Sequence, residues 1–158
     1  MEPPHHGRRP APAGAAPALR HYRARFQPQG FGLTSPRAIL AVNVTVAETS
    51  AQAQRLVGSA KAFYARLRRS GGGAQLPAAD EAERELTTTE REQPTSIVDG
   101  QWPQFVAGSP DEVRATLEQM IELSGADELM VQNLIADPDD RRHSHTLLAE
   151  MFGLSPRH

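Results

Sequence analysis

The apolar positions along this chain change period several times, and each period predicts an element. Residues 37–46, RAILAVNVTV, alternate. Ala38, Leu40, Val42, Val44 and Val46 fall on one side of an extended chain, and Ile39, Ala41, Asn43 and Thr45 on the other. Both sides are mostly apolar, so the pattern predicts a strand buried on both faces of a parallel sheet. Residues 49–69 shift to helical spacing. Ala53, Leu56, Val57, Ala60, Phe63, Tyr64 and Leu67 make one stripe, and Thr49 and Gln52 have capping-box spacing. Arg66, Arg68 and Arg69 suit the C-terminal end of the helix dipole, and Gly71–Gly73 stop the helix.

Residues 108–137 read as a helix turning at once into a strand. Ser109 is a cap, Pro110 fits the first helical position, and Glu112 can reach back to the cap. Val113, Leu117, Met120 and Ile121 recur on one face, and Gly125 can take the left-handed turn that ends a helix. Leu129, Met130 and Val131 open an apolar run too brief for another helix. After a turn at 138–140, Asp139 or Asp140 is expected to cap a last helix. It carries Leu147, Leu148, Met151 and Phe152 and ends at Gly153. A short helix over 18–26 has the stripe Leu19, Tyr22 and Phe26, followed by a loop over 27–36 rich in Pro and Gly. Its Arg20, Arg23 and Arg25 read as a solvated face in preference to an anion site.

Two stretches lack a period. Residues 1–17 are Pro, Gly and Ala rich and are expected to be a disordered arm, with His5 and His6 as solvated histidines. Residues 75–107 form a long excursion with one or two short helices over 80–92. Trp102 is expected to anchor its return. A connection of that length is usually a lid or a disordered segment. The resulting order is α/β, with two parallel strands and covering helices.

Composition removes many functions. Net charge is −2 and charged residues are 23%, so no general attraction to nucleic acid or anionic membrane follows. Aromatic residues are 5%, too few for a base-stacking platform. No cysteine occurs, which excludes disulfides, thiolate metal sites and a Cys nucleophile and suits a reducing, cytoplasmic setting. No apolar run approaches the roughly 20 residues of a membrane span. His143 and His145 are two apart and so on different faces of a helix, which rules out a shared metal. They also lack the third group and oxyanion site that Ser144 would need for acyl transfer. Asp137, Asp139 and Asp140 lack the spacing of a calcium loop. Arg141 and Arg142 read as surface residues. No metal is expected.

The candidate site follows from the strands. In α/β folds ligands bind at the C-terminal ends of strands. Asn43 and Thr45 near the end of the first strand, and Gln132 and Asn133 near the end of the second, are candidate pocket-lining residues. Asn43 serves equally well as a satisfied core or rim amide, and the period does not say which of Gln132 and Asn133 points inward.

Several segments, in this order, resemble the C-terminal part of the bacterial-luciferase-like flavin-dependent monooxygenases: ALRHYRARFQP, AILAVNVTVAETSAQAQRL, VAGSPDEVRATLEQMIELSGADELMV and RRHSHTLLAEMFGL. The resemblance implies a portion of a (β/α)8 barrel, with residues 37–46 and 128–135 as its seventh and eighth strands and 75–107 in the excursion between them. It also implies reduced FMN or a deazaflavin, usually with O2, acting on a small organic substrate. Family members are much longer, and the earlier strands that hold most flavin contacts have no counterpart here. No catalytic or cofactor-binding residue is therefore carried over, and flavin binding by this chain alone is not expected. Two strands cannot close a barrel and would leave apolar edges open. The chain is then expected to need a complementing N-terminal barrel half, or to act as a non-catalytic module that self-associates. An all-helical adaptor, with residues 37–46 not a strand, is the third alternative.

Overall fold

The computed structural model describes residues 15–28, 32–70 and 75–154. The expected arm up to residue 14, with His5 and His6, lies outside these residues, as do Gly71–Gly73. The order is α1 (Ala16–Arg25), β1 (Ile39–Val46), α2 (Ser50–Ser70), α3 (Ala79–Glu85), α4 (Thr88–Arg91), β2 (Phe105–Gly108), α5 (Pro110–Ser124), β3 (Glu128–Gln132) and α6 (Pro138–Met151). Helix α1 starts two residues before its expected position, with Pro17 in its first turn.

The described sheet has three parallel strands in the order β2-β1-β3 rather than two. The unexpected strand, β2, closes the excursion. Its four residues, FVAG, are too few to display a period, and it forms because Asn43–Val46 of β1 offers a ladder to Phe105–Gly108. Strand β3 pairs with the first part of β1, Ile39 to Asn43 against Glu128 to Gln132. The unit β2-α5-β3 is thus a parallel crossover that straddles β1. The two short helices expected in the excursion are α3 and α4.

One face of the sheet carries the main core. Leu40, Val42, Val44 and Val46 of β1 and Val106 of β2 pack under Val113, Leu117 and Met120 of α5 and Leu147, Leu148 and Met151 of α6. Trp102 and Ile97 pack against this cluster, so the tryptophan anchors the returning excursion as its sequence suggests.

The other face is covered over only part of its area, contrary to the expectation that β1 is buried on both sides. Ala53, Leu56, Val57 and Ala60 of α2 cover Phe105 and Ala107. Thr45, in register with Ala107, is 2% exposed beneath the same helix. Further back on this face, none of the described residues covers the sheet. Ile39 is 54% exposed and Met130 is 57% exposed, and Ala41 is open too. Helix α2 is itself buried on two sides, since Ala62 and Ala65 pack on Ala82 and Leu86 of the excursion. Its stripe is therefore wider than the one its apolar residues draw.

Caps fix where the helices begin. Thr49 Oγ1 accepts from the Gln52 amide at 3.2 Å. Glu112 accepts from the Ser109 amide at 2.8 Å, closing the expected box. Asp137, not Asp139 or Asp140, caps α6. Its Oδ1 accepts from the amides of Asp139 and Asp140 at 2.8 and 2.9 Å. Pro138 already holds the first helical position, which places the cap at the residue before it, ahead of the acidic pair. Gly125 ends α5 at φ 62°, a left-handed conformation that favours glycine.

The arginines of α1 are not simply solvated. Arg20 donates to the Leu123 carbonyl at 3.2 Å, and Arg23 donates to the Gly125 carbonyl and to Asp127 at 2.7 Å. The last carbonyls of α5 have no helical partner and carry the negative end of its dipole, so guanidinium groups settle there.

Candidate functional site

Three strands end at one edge of the sheet, and the polar residues singled out in the sequence gather at that edge. Asn43 stands opposite Gln132 in the β1–β3 register, and both share the partly uncovered face with Ile39 and Met130. Gln132 is exposed. Thr45 is not in an open pocket, because α2 lies over it. Asn133, just past β3, donates its amide to Ser144 Oγ at 2.9 Å. Ser144 also accepts from the Val46 amide at 3.0 Å and is fully buried. It therefore ties the ends of β1 and β3 to α6. The sequence holds the signal for this: Ser144 precedes Leu147 and Leu148 by three and four residues, on the buried stripe of α6.

The side-chain oxygens of Asn43 and Asn133 are buried and have no hydrogen-bond partner. A buried amide oxygen left unpaired costs about 1–3 kcal/mol. Two of them at the ends of neighbouring strands are acceptors waiting for N–H or O–H donors.

The helix starts at this edge are partly capped by the chain's own groups. Glu112 accepts from the Ser109 amide, the Ser109 hydroxyl at 2.9 Å and the Ser50 hydroxyl of α2. The Ser50 hydroxyl first, then the Ser109 amide and hydroxyl, hold its carboxyl below the usual range. Gly108 leaves room for this, since a Cβ there would meet Glu112 Oε2 at 2.7 Å. With Thr49 on α2 and Asp137 on α6, every helix that follows a strand is capped by a side chain, two of them by carboxylates. A phosphate prefers free amides at a helix start. The caps take only one or two amides of each start, but the carboxylates of Glu112 and Asp137 stand at two of them and disfavour a second anion there. These residues do not make a flavin site by themselves.

The remaining candidates take structural roles. His143 Nε2 lies 3.0 Å from Glu48 Oε1, while His145 lines an apolar groove with Leu129, Val131, Leu148 and Phe152. The two histidines point apart, as their spacing requires. Arg141 donates to the Ile135 carbonyl at 3.0 Å, and Arg142 pairs with Asp139. No group of three His, Cys, Asp or Glu able to hold a metal occurs among the described residues. No described helix is long and apolar enough to cross a membrane.

One residue had no place in the sequence reading. Lys61, four after Val57 on α2, is 2% exposed, and burial pushes its ammonium below the usual lysine range. It donates to the Arg91 and Gln93 carbonyls at 2.6 and 3.0 Å.

Comparison with known proteins places these features in context. The sequence model of a family described as luciferase-like monooxygenase matches residues 5–128. The uncharacterized protein YvbT of Bacillus subtilis (strain 168) is 29% identical over 142 residues, which is 90% of this chain and 41% of that protein. A luciferase-like monooxygenase of Escherichia coli (strain K12) is 27% identical over 137 residues, 85% of this chain and 38% of that one. The crystal structure of apo-MsnO8 superposes with a TM-score of 0.77 at 39% identity, covering 92% of this chain and 43% of that chain. This chain thus spans about two fifths of the length of the relatives it matches.

Proposed function

This chain belongs to the luciferase-like monooxygenase family, and we propose that it supplies one wall of such an enzyme's pocket, the flavin and oxygen being handled in a larger assembly. The carrying observation is the pair of unpartnered amide oxygens, Asn43 and Asn133, at the strand ends. They are acceptors for a donor-bearing ligand held chiefly by other strands. In such an assembly a reduced flavin, FMN or a deazaflavin, supplies electrons to O2 and a small organic substrate is oxidised. The contribution of this chain is to present acceptors and to exclude water with the excursion over 75–104. No catalytic group is assigned to it.

The missing wall is a complementing barrel half, and the uncovered sheet face is where it fits. Ile39 and Met130 would meet its side chains, and the free edge of β3 would receive its next strand. FMN fluorescence tests the reading. The purified chain is expected to leave FMN fluorescence unchanged at micromolar concentration. Tight, stoichiometric quenching by the chain alone would overturn it.

A second reading, a non-catalytic module that self-associates through this face, draws on the same exposed Ile39 and Met130. Sedimentation at micromolar concentration separates the two, because a concentration-independent monomer excludes self-association.

A further inference from the structure

Lys61 is the only lysine in the sequence, in a chain that otherwise carries its positive charge on arginine. Most of the described arginines of α2 meet a carboxylate: Arg55 meets Asp80 at 2.6 Å, Arg66 meets Glu81 and Glu85, and Arg69 meets Glu90. Lys61 meets none. Its two partners are backbone carbonyls, which carry no net charge. A buried cation without a counter-ion is costly, and an ammonium has three donors, of which two are used here.

Beside it lies a cavity of about 310 Å³ between α2 and the excursion, lined among others by Gln54, Arg55, Gly58, Lys61, Glu83 and Arg91. Arg55 pairs with Asp80, whereas Arg91 donates to the Glu83 backbone carbonyl at 3.0 Å. Among the described residues, Lys61 and Arg91 line the cavity without a carboxylate in contact. The volume holds a small polar group. Gln54 carries no charge, and its Nε2 donates to Thr95 Oγ1 at 2.7 Å.

We propose that this cavity binds one small monoanionic oxyanion group, a carboxylate or sulfonate, against Lys61 and Arg91. The anion takes the third ammonium donor and supplies the missing charge. Because Lys61 also holds the Arg91 and Gln93 carbonyls, the occupied cavity fastens the excursion to α2.

A single lysine makes the test direct. The full chain labelled with 13Cε-lysine gives one lysine signal, needing no assignment. Methanesulfonate is added at ionic strength held constant with chloride. A saturable shift of that signal is expected, and Arg91→Gln, a change at an exposed side chain, weakens binding by about threefold. A shift that stays linear with concentration leaves an adventitious ion only and overturns the proposal. So does a curve identical with chloride, or an unchanged affinity in Arg91→Gln.

Discussion

The two faces of the sheet are built to different standards. Beneath α5 and α6, Leu40, Val42, Val44, Val46 and Val106 are all buried under a mostly apolar helix surface. On the reverse, α2 covers β2 and the end of β1, then stops, and Ile39 and Met130 face outward. The same strands contribute to both. A two-sided apolar strand with one side bare costs solubility without adding stability. The first face holds the chain together, and the second carries the exposed apolar residues and the pocket proposed above.

Substitutions can break this contrast. Leu117→Ala, at a fully buried position of α5, is expected to destabilise the chain by about 2–5 kcal/mol in chemical denaturation. Met130→Ala should stay within about 0.5 kcal/mol, since its side chain already lies in water. Equal losses would mean that the bare face is covered in solution.

A smaller effect is expected at the strand ends. Ser144→Ala removes the acceptor of the Val46 and Asn133 donors and should cost about 1–3 kcal/mol. Asn43→Leu should be neutral or stabilising, because the oxygen it removes has no partner within the chain. A large loss in Asn43→Leu would show that the amide is structural and would remove it from the pocket.

The mildest effect is a response to acid. The Ala38 amide, and then the Arg23 guanidinium, hold the Asp127 carboxyl below its usual range, and Glu112 is lowered by Ser50 and Ser109. Both folded-state values lie under the unfolded ones. Their contribution is therefore complete above about pH 4 and is lost as pH falls through the lowered values. Thermal melts between neutral pH and pH 3 should show Tm falling only in the acid range. Arg23→Gln should flatten that fall. A Tm independent of pH would mean that Asp127 does not tie α1 and β1 to the end of α5.

Much of this was legible because local period reports local burial. The alternation of 37–46 and the stripes of α2, α5 and α6 placed the right elements, and the polar residues Asn43, Thr45, Gln132 and Asn133 do lie near the ends of two paired strands. What escaped has a physical cause in each case. Strand β2 has four residues and exists only through its partner. Arg23 finds Asp127 across a separation of 104 residues, which no local pattern encodes. Lys61 lies on an apolar stripe, where its charge disguised its burial. The cap of α6 was displaced by one proline.

The register of β2 has a further consequence. It reaches along β1 only as far back as Asn43, while β3 accompanies β1 from Ile39. Among the described residues, the early part of β1 therefore has backbone donors and acceptors on the β2 side with no ladder to join. The sheet has a notch on one flank and an open rim on the other, set at different heights. The unpaired backbone groups on the two flanks are therefore staggered along the direction of β1.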